Sequence, residues 1–245
     1  LLVFCAIYAG GAACGAPAAD ADRSDRAASL RPSPAAAARS ADAPVAGAPV
    51  AAREDRPRIV FLGDSLTAGL GLDASQSYPA LIADRLNREG YEYEVVNAGV
   101  SGDTSAGGLR RLEWVLSEGN PRVLVVALGG NDGLRGLPPE QLEANLAAII
   151  ETARARGLEV ILAGMEAPPN FGADYTSRFR AVYPRLAKRY GVRLIPFLLD
   201  GVAGNPSLNQ ADGIHPNARG AALVADLVWR ALEPALEGTR SGSTP

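Results

Sequence analysis

The sequence predicts one α/β domain over residues 58–236, a three-layer α/β/α sandwich built on a doubly wound sheet of about five parallel strands. Three observations predict it. Short apolar runs recur along the chain and are separated by segments whose apolar residues follow helical spacing. Several of these runs lack the alternation of a half-exposed strand, as expected when helices cover both faces of a parallel sheet. Each connection is also long enough for a βαβ crossover.

In chain order, the strand candidates are Ile59 to Leu62, Glu94 to Val96, Val123 to Leu128, Val160 to Leu162 and Val192 to Phe197. Helical spacing appears in Tyr78, Leu81, Ile82 and Leu86, in Leu142, Leu146, Ile149, Ile150 and Ala153, and in Val224, Leu227, Val228, Ala231 and Leu232. Trp114 and Trp229 fall on such faces and are expected in the core.

Composition narrows the function. Hydrophobic residues make up 47% and charged residues 21%, a globular balance. A net charge of -3 argues against nucleic acid as a partner. Lys188 is the only lysine and no Walker-type Gly-Lys-Ser/Thr occurs, which excludes P-loop chemistry. Two cysteines and one histidine cannot form a usual tetrahedral zinc site. No metal and no cofactor is expected.

The first residues belong to a different class. Leu1 to Ala19 carries no charge and begins with an apolar run, which resembles the core of an export signal. Gly11-Ala12-Ala13-Cys14 resembles a bacterial lipoprotein processing site, which makes residues 1–14 an export signal and Cys14 the lipidated residue. A cleaved soluble signal and an uncleaved anchor are the alternatives. Residues 15–57 are rich in Ala, Pro, Ser and Arg, hold six acidic and six basic side chains, and have few large apolar ones. Such a segment cannot bury enough surface to offset its ordering entropy, so it is expected to be a disordered tether. Residues 237–245 read as a loose tail. The expected location is therefore the periplasm or cell envelope, with a lipid anchor in the membrane.

The chemistry gathers in loops that follow the strands. The chain has one histidine, His215, in Asp212-Gly213-Ile214-His215-Pro216. Neutral imidazole is a suitable base near neutral pH, and an aspartate three residues upstream can fix its tautomer and orientation. Pro216 favours an extended His215 and suits the first turn of a following helix. Gly63-Asp64-Ser65-Leu66 places a serine after the first strand, and a serine hydroxyl needs such a base to become a nucleophile. Acyl transfer further needs donors aimed at an oxyanion. Candidates are the N–H of Ser65, the N–H of Gly102 and the side-chain amide of Asn131, with Gly99 a competitor for Gly102.

These residues resemble, in order, the four blocks of the SGNH (GDSL) hydrolases: Gly63-Asp64-Ser65-Leu66, Gly102, Gly130-Asn131-Asp132, and Asp212 to Pro216. The longer matches around them are most similar to the periplasmic arylesterase and multifunctional thioesterase/lysophospholipase branch. The resemblance implies a flavodoxin-like sheet and a triad of Ser65, Asp212 and His215. It also implies Ser65, Gly102 and Asn131 as oxyanion donors. Asp64 and Asp132 are expected to fix loops. The α/β-hydrolase elbow Gly-x-Ser-x-Gly is absent around Ser65, which argues against that fold.

Gly69-x-Gly71-x-x-Ala74 imitates a dinucleotide fingerprint but starts well beyond the first strand, so it is read as shaping the loop beside the serine. Leu134, Met165, Pro168, Pro169, Phe171 and Tyr175 fall in loops after strands three and four and are expected to line an acyl pocket. The expected protein is a monomeric serine esterase acting on small ester or thioester substrates. A carbohydrate or peptidoglycan O-deacetylase and a non-catalytic envelope-binding lipoprotein are the alternatives.

Overall fold

The computed structural model describes residues 56–236. The expected signal at 1–14, nearly all of the tether at 15–57 and the tail at 237–245 lie outside the described residues.

Five strands form a single parallel sheet: β1 (Pro57–Gly63), β2 (Glu94–Gly99), β3 (Asn120–Ala127), β4 (Glu159–Ala163) and β5 (Arg193–Ile195). Their order is β2-β1-β3-β4-β5, the flavodoxin-like arrangement. The central strands are apolar without alternation because both of their faces are covered. Ile59 to Leu62 and Val123 to Leu128 are all buried. β5 is shorter than its apolar run, Val192 to Phe197, because Pro196 follows its last residue and has no N–H for the ladder.

The helices are α1 (Ser65–Ala68), α2 (Tyr78–Arg88), α3 (Ser105–Val115), α4 (Gly130–Leu134), α5 (Pro139–Ala155), α6 (Ala173–Tyr190) and α7 (Ala218–Leu232). α3 packs on α5 and α5 on α6, forming one layer; α2 and α7 pack together as the other. Trp229 of α7 is buried, edge-on to Tyr91 at 5.9 Å and capped by the Arg85 guanidinium at 4.4 Å.

Trp114 corrects the sequence reading: it is 71% exposed. The buried stripe of α3 runs through Ser105, Gly108 and Leu112, and a residue two positions past Leu112 lies about 200° around the helix. Gly108 is a poor helix former, but a Cβ there would lie 2.2 Å from Leu128 Cδ1, so the glycine lets α3 approach the sheet.

Register sets the height of the loops. Gly63 pairs with Gly99 on one side and Ala127 on the other. Three strands therefore end level, and the chain leaves them at one edge. β1 lies between β2 and β3, so the connections diverge there, and this switch point opens a crevice.

Candidate active site

Ser65 is the first residue of α1, directly after β1. Asp64 caps this short helix by accepting the Leu66 N–H at 3.0 Å. Ser65 is nearly buried, and its Oγ lies 2.9 Å from His215 Nε2. His215 Nδ1 lies 2.6 Å from Asp212 Oδ2. The other carboxylate oxygen, Oδ1, accepts the N–H groups of Ile214 and His215 at 2.9 and 3.0 Å. These backbone bonds, the bond to the imidazole and its charge hold the Asp212 carboxyl down at about 2. It is therefore an anion at any working pH, and an anion at Nδ1 directs the lone pair of a neutral imidazole to Nε2, which faces Ser65.

The loop that carries this pair is a small hairpin. Gln210 donates its N–H to His215 O at 2.7 Å, Gly213 donates to Gln210 O at 3.0 Å, and Asn217 donates to Leu208 O at 2.9 Å. Asn217 then caps α7 through Arg219 and Gly220. The acid and base thus sit between a closed hairpin and a helix start.

The expected oxyanion donors surround the same serine. Gly102 lies in the loop between β2 and α3 at φ +80°, which a glycine adopts without strain. Its competitor Gly99 has already committed its N–H to Asn97 Oδ1 at 3.0 Å. The Gly102 loop is pinned from three sides. Arg135 donates to Gly102 O at 2.9 Å, Asn131 Nδ2 donates to Asp103 O at 3.0 Å, and Arg111 pairs with Asp103 Oδ2 at 2.8 Å while also donating to Gly63 O. Asn131, on α4, also donates to Asp64 Oδ2 at 3.2 Å. Asp64 and Asp132 fix loops, as expected. Asp132 is buried and accepts both the N–H and the hydroxyl of Ser105 at 2.8 and 2.5 Å, which locks the start of α3 to α4. Asn145 completes this lock by donating to Ser105 Oγ, and nothing in the motif pattern marks it.

Beside the triad lies a cleft of about 540 Å³ that includes Ser65, Gly102, Asn131 and His215. Leu134, Met165, Pro168 and Pro169 line it as expected. Phe171 and Tyr175 do not, which corrects that part of the reading. Tyr175 lies on α6 rather than in a loop. Its ring stands between Phe171 and Phe179 at 5.3 and 6.0 Å, and its hydroxyl donates to Leu137 O at 2.8 Å. Both aromatics therefore buttress the turn after α4 from outside the cleft. Leu70, Phe197, Leu199 and Ile214 also line it and were not anticipated there. Among the described residues, no group of three or more His, Cys, Asp or Glu side chains is placed to hold a metal ion.

A serine hydroxyl and an imidazole oriented by a carboxylate, beside an apolar cleft that Gly102 and Asn131 also line, can carry out acyl transfer. Comparison with known proteins points the same way. Residues 61–223 match the model of the GDSL-like lipase/acylhydrolase family. The chain is 49% identical to the esterase TesA of Pseudomonas aeruginosa over 178 residues, covering 73% of this chain and 89% of that protein. It is 43% identical to thioesterase 1/protease 1/lysophospholipase L1 of Escherichia coli over 176 residues, 72% of this chain and 83% of that one. A crystal structure of TesA superimposes with a TM-score of 0.70 at 49% identity, covering 74% of this chain and 100% of that one.

Proposed function

The chain belongs to the GDSL-like lipase/acylhydrolase family and is a carboxylic ester hydrolase, and from that premise we propose that it is an exported serine esterase working through an acyl-enzyme on Ser65. Its substrates in this reading are aryl or short-to-medium acyl esters, with thioesters and lysophospholipids. One observation carries the chemistry: the continuous relay Asp212–His215–Ser65, with contacts of 2.6 and 2.9 Å, opens onto a largely apolar cleft.

The steps follow from the geometry. Neutral His215 Nε2 takes the Ser65 Oγ proton as Oγ attacks the ester carbonyl. The carbonyl oxygen becomes an oxyanion and accepts the N–H groups of Ser65 and Gly102 and one N–H of Asn131. Both N–H groups of the Asn131 amide are engaged, and the longer bond, to Asp64, is the one that yields to substrate. Collapse expels the alcohol or thiol, which takes its proton from His215. A water molecule then repeats the sequence and releases the acid. Throughout, Asp212 stays ionised and stabilises the imidazolium.

The apolar wall of Leu134, Met165, Pro168 and Pro169 supports an acyl chain longer than acetyl, which favours this reading over an O-deacetylase. Purified protein is expected to hydrolyse p-nitrophenyl butyrate and octanoate faster than the acetate. Ser65→Ala is expected to lose at least ~10³-fold in kcat, together with labelling by a fluorophosphonate. Full activity in Ser65→Ala would sink the mechanism, and a strict preference for acetyl esters would shift the substrate to the O-deacetylase reading. The lipoprotein-like Cys14 and the tether-like composition after it support a location on the cell envelope, held by lipid on Cys14, and a relay complete within one chain supports a monomer.

A further inference from the structure

The acid–base hairpin and the nucleophile turn come from segments 150 residues apart, yet Oγ and Nε2 meet at hydrogen-bond distance. A base displaced by about 1 Å can cost ~10²-fold in rate, so something must hold the two segments together. A second hydrogen bond crosses the same gap. Gln210 Nε2 donates to Leu70 O at 2.7 Å and to Pro216 O at 3.0 Å. Leu70 in turn donates its N–H to Ser65 O at 3.0 Å, so its peptide is fixed to the nucleophile. Pro216 directly follows the base.

The backbone of Gln210 is committed to the hairpin too, its N–H to His215 O and its carbonyl to Gly213. Every polar group of Gln210 except Oε1 thus ties one side of the Ser65–His215 gap to the other or closes the hairpin. Oε1 faces Gly71. A Cβ at Gly71 would stand 2.1 Å from Oε1, and the residue holds φ +77°. The second glycine of Gly69-x-Gly71 therefore has a specific duty: it leaves room for the side chain of Gln210 in a turn that a side chain would strain.

We propose that Gln210 is a positioning residue, a strap from the hairpin to the Leu70 carbonyl that sets the Ser65–His215 distance, with Gly71 as its seat. It touches neither substrate nor the reacting atoms and acts through His215. The inference rests on the triad reading above.

The test is a double-mutant cycle on p-nitrophenyl butyrate hydrolysis. Gln210→Met keeps the length of the side chain and removes both donors. It is expected to lower kcat by 10-fold or more, with KM changed less than about 3-fold. Placed on His215→Ala, the same change is expected to lower the residual rate by less than about 2-fold, because there is no base left to position. An equal fractional loss in both backgrounds would mean a general structural effect and would overturn the proposal, as would an unchanged kcat in Gln210→Met alone. Gly71→Ala attacks the strap from its seat and should show the same dependence on His215; it stands in if Gln210→Met fails to fold.

The single histidine gives a second readout where the residual rate is too small to measure. Its ring carbon NMR signals need no assignment among others. Ser65→Ala should shift them in the native background and much less in the Gln210→Met background, where the Ser65 contact is already lost; an equal shift in both would overturn the proposal. If Ser65→Ala and His215→Ala both keep full activity, the triad reading fails. If they lose it and Gln210→Met does not, only the strap fails.

Discussion

Asp64 is a buried carboxyl one residue before the proposed nucleophile, 2% exposed, with no cation bonded to it among the described residues. Burial is the largest influence on it and raises it from 3.8 to about 6, against the opposing pull of the Leu66 N–H, the charge of His215 and the Asn131 amide. The sign for stability follows. Between about pH 4 and 6 the folded protein holds a proton that the unfolded chain has released, so stability is greatest at the acid end and falls as pH rises through 6. At about 1.4 kcal/mol per pH unit, the loss amounts to ~3 kcal/mol. Asp64→Asn removes this titration. The unfolding free energy of the native protein relative to Asp64→Asn should therefore drop by up to about 3 kcal/mol as pH is raised from 4 to 7, read by urea unfolding at each pH. A difference that stays constant across that range would show that Asp64 ionises normally. The same carboxyl caps α1 and holds Asn131, so the cost of ionisation falls on a group bonded to the proposed oxyanion donor.

At the scale of elements, the sheet was legible because its strands are buried on both faces and read as unbroken apolar runs. The helices α2, α5 and α7 were legible from spacing. α6 was not assigned, and α3 was read only through a helical face at Trp114 that proves exposed, for physical reasons that lie in neighbours. α3 begins Ser-Ala-Gly-Gly, a poor helix start in isolation, and forms because Thr104 caps it, Asp132 anchors Ser105 and Gly108 packs under Leu128. α6 contains Pro184, which reads as a break, but its apolar stripe of Phe179, Val182, Tyr183 and Leu186 is fully buried, and that burial outweighs the missing N–H. Ser65, Asp212 and His215 were legible because each sits in a short local motif, Ser65 directly after β1 and the other two just before α7. The residues that hold them, Gln210, Arg111 and Asn145, act across loops distant in sequence and carry no local pattern. One contact between elements is testable directly. A Cβ at Gly99, the last residue of β2, would lie 2.2 Å from Ala68 N and 2.8 Å from Ala68 Cα, and backbone does not yield cheaply. Gly99→Ala should cost about 1–3 kcal/mol in chemical denaturation. Because α1 must move to admit the methyl, kcat/KM for p-nitrophenyl butyrate should fall as well. Native stability with native kcat/KM would show that β2 and α1 are not in the tight contact on which the placement of Ser65 depends.

At the scale of the whole described segment, its first and last elements lie away from its chemistry. Ser65, Gly102, Asn131 and His215 lie at or beyond the carboxyl edge of the sheet, in loops that follow strands or at the helix starts that end them. Pro57 opens β1 at the amino edge, and Arg193, which opens β5 at that edge, donates to Pro234 O near the other end of the described segment. The described segment thus begins and ends on the side away from the cleft. The core cluster includes residues from Ile59 to Leu236, and the cleft residues named above all belong to the described segment. An attachment through Cys14 should therefore decide where the enzyme works and not how fast. In cells that export the protein, esterase activity should sediment with the membrane fraction, and Cys14→Ser should move it to the soluble fraction. Its kcat/KM for p-nitrophenyl butyrate should stay within about 2-fold of the native value, since surface changes remote from the core and site are close to neutral. Soluble activity in both proteins would remove the lipid anchor. A large loss of kcat/KM in Cys14→Ser would overturn this separation of location from rate.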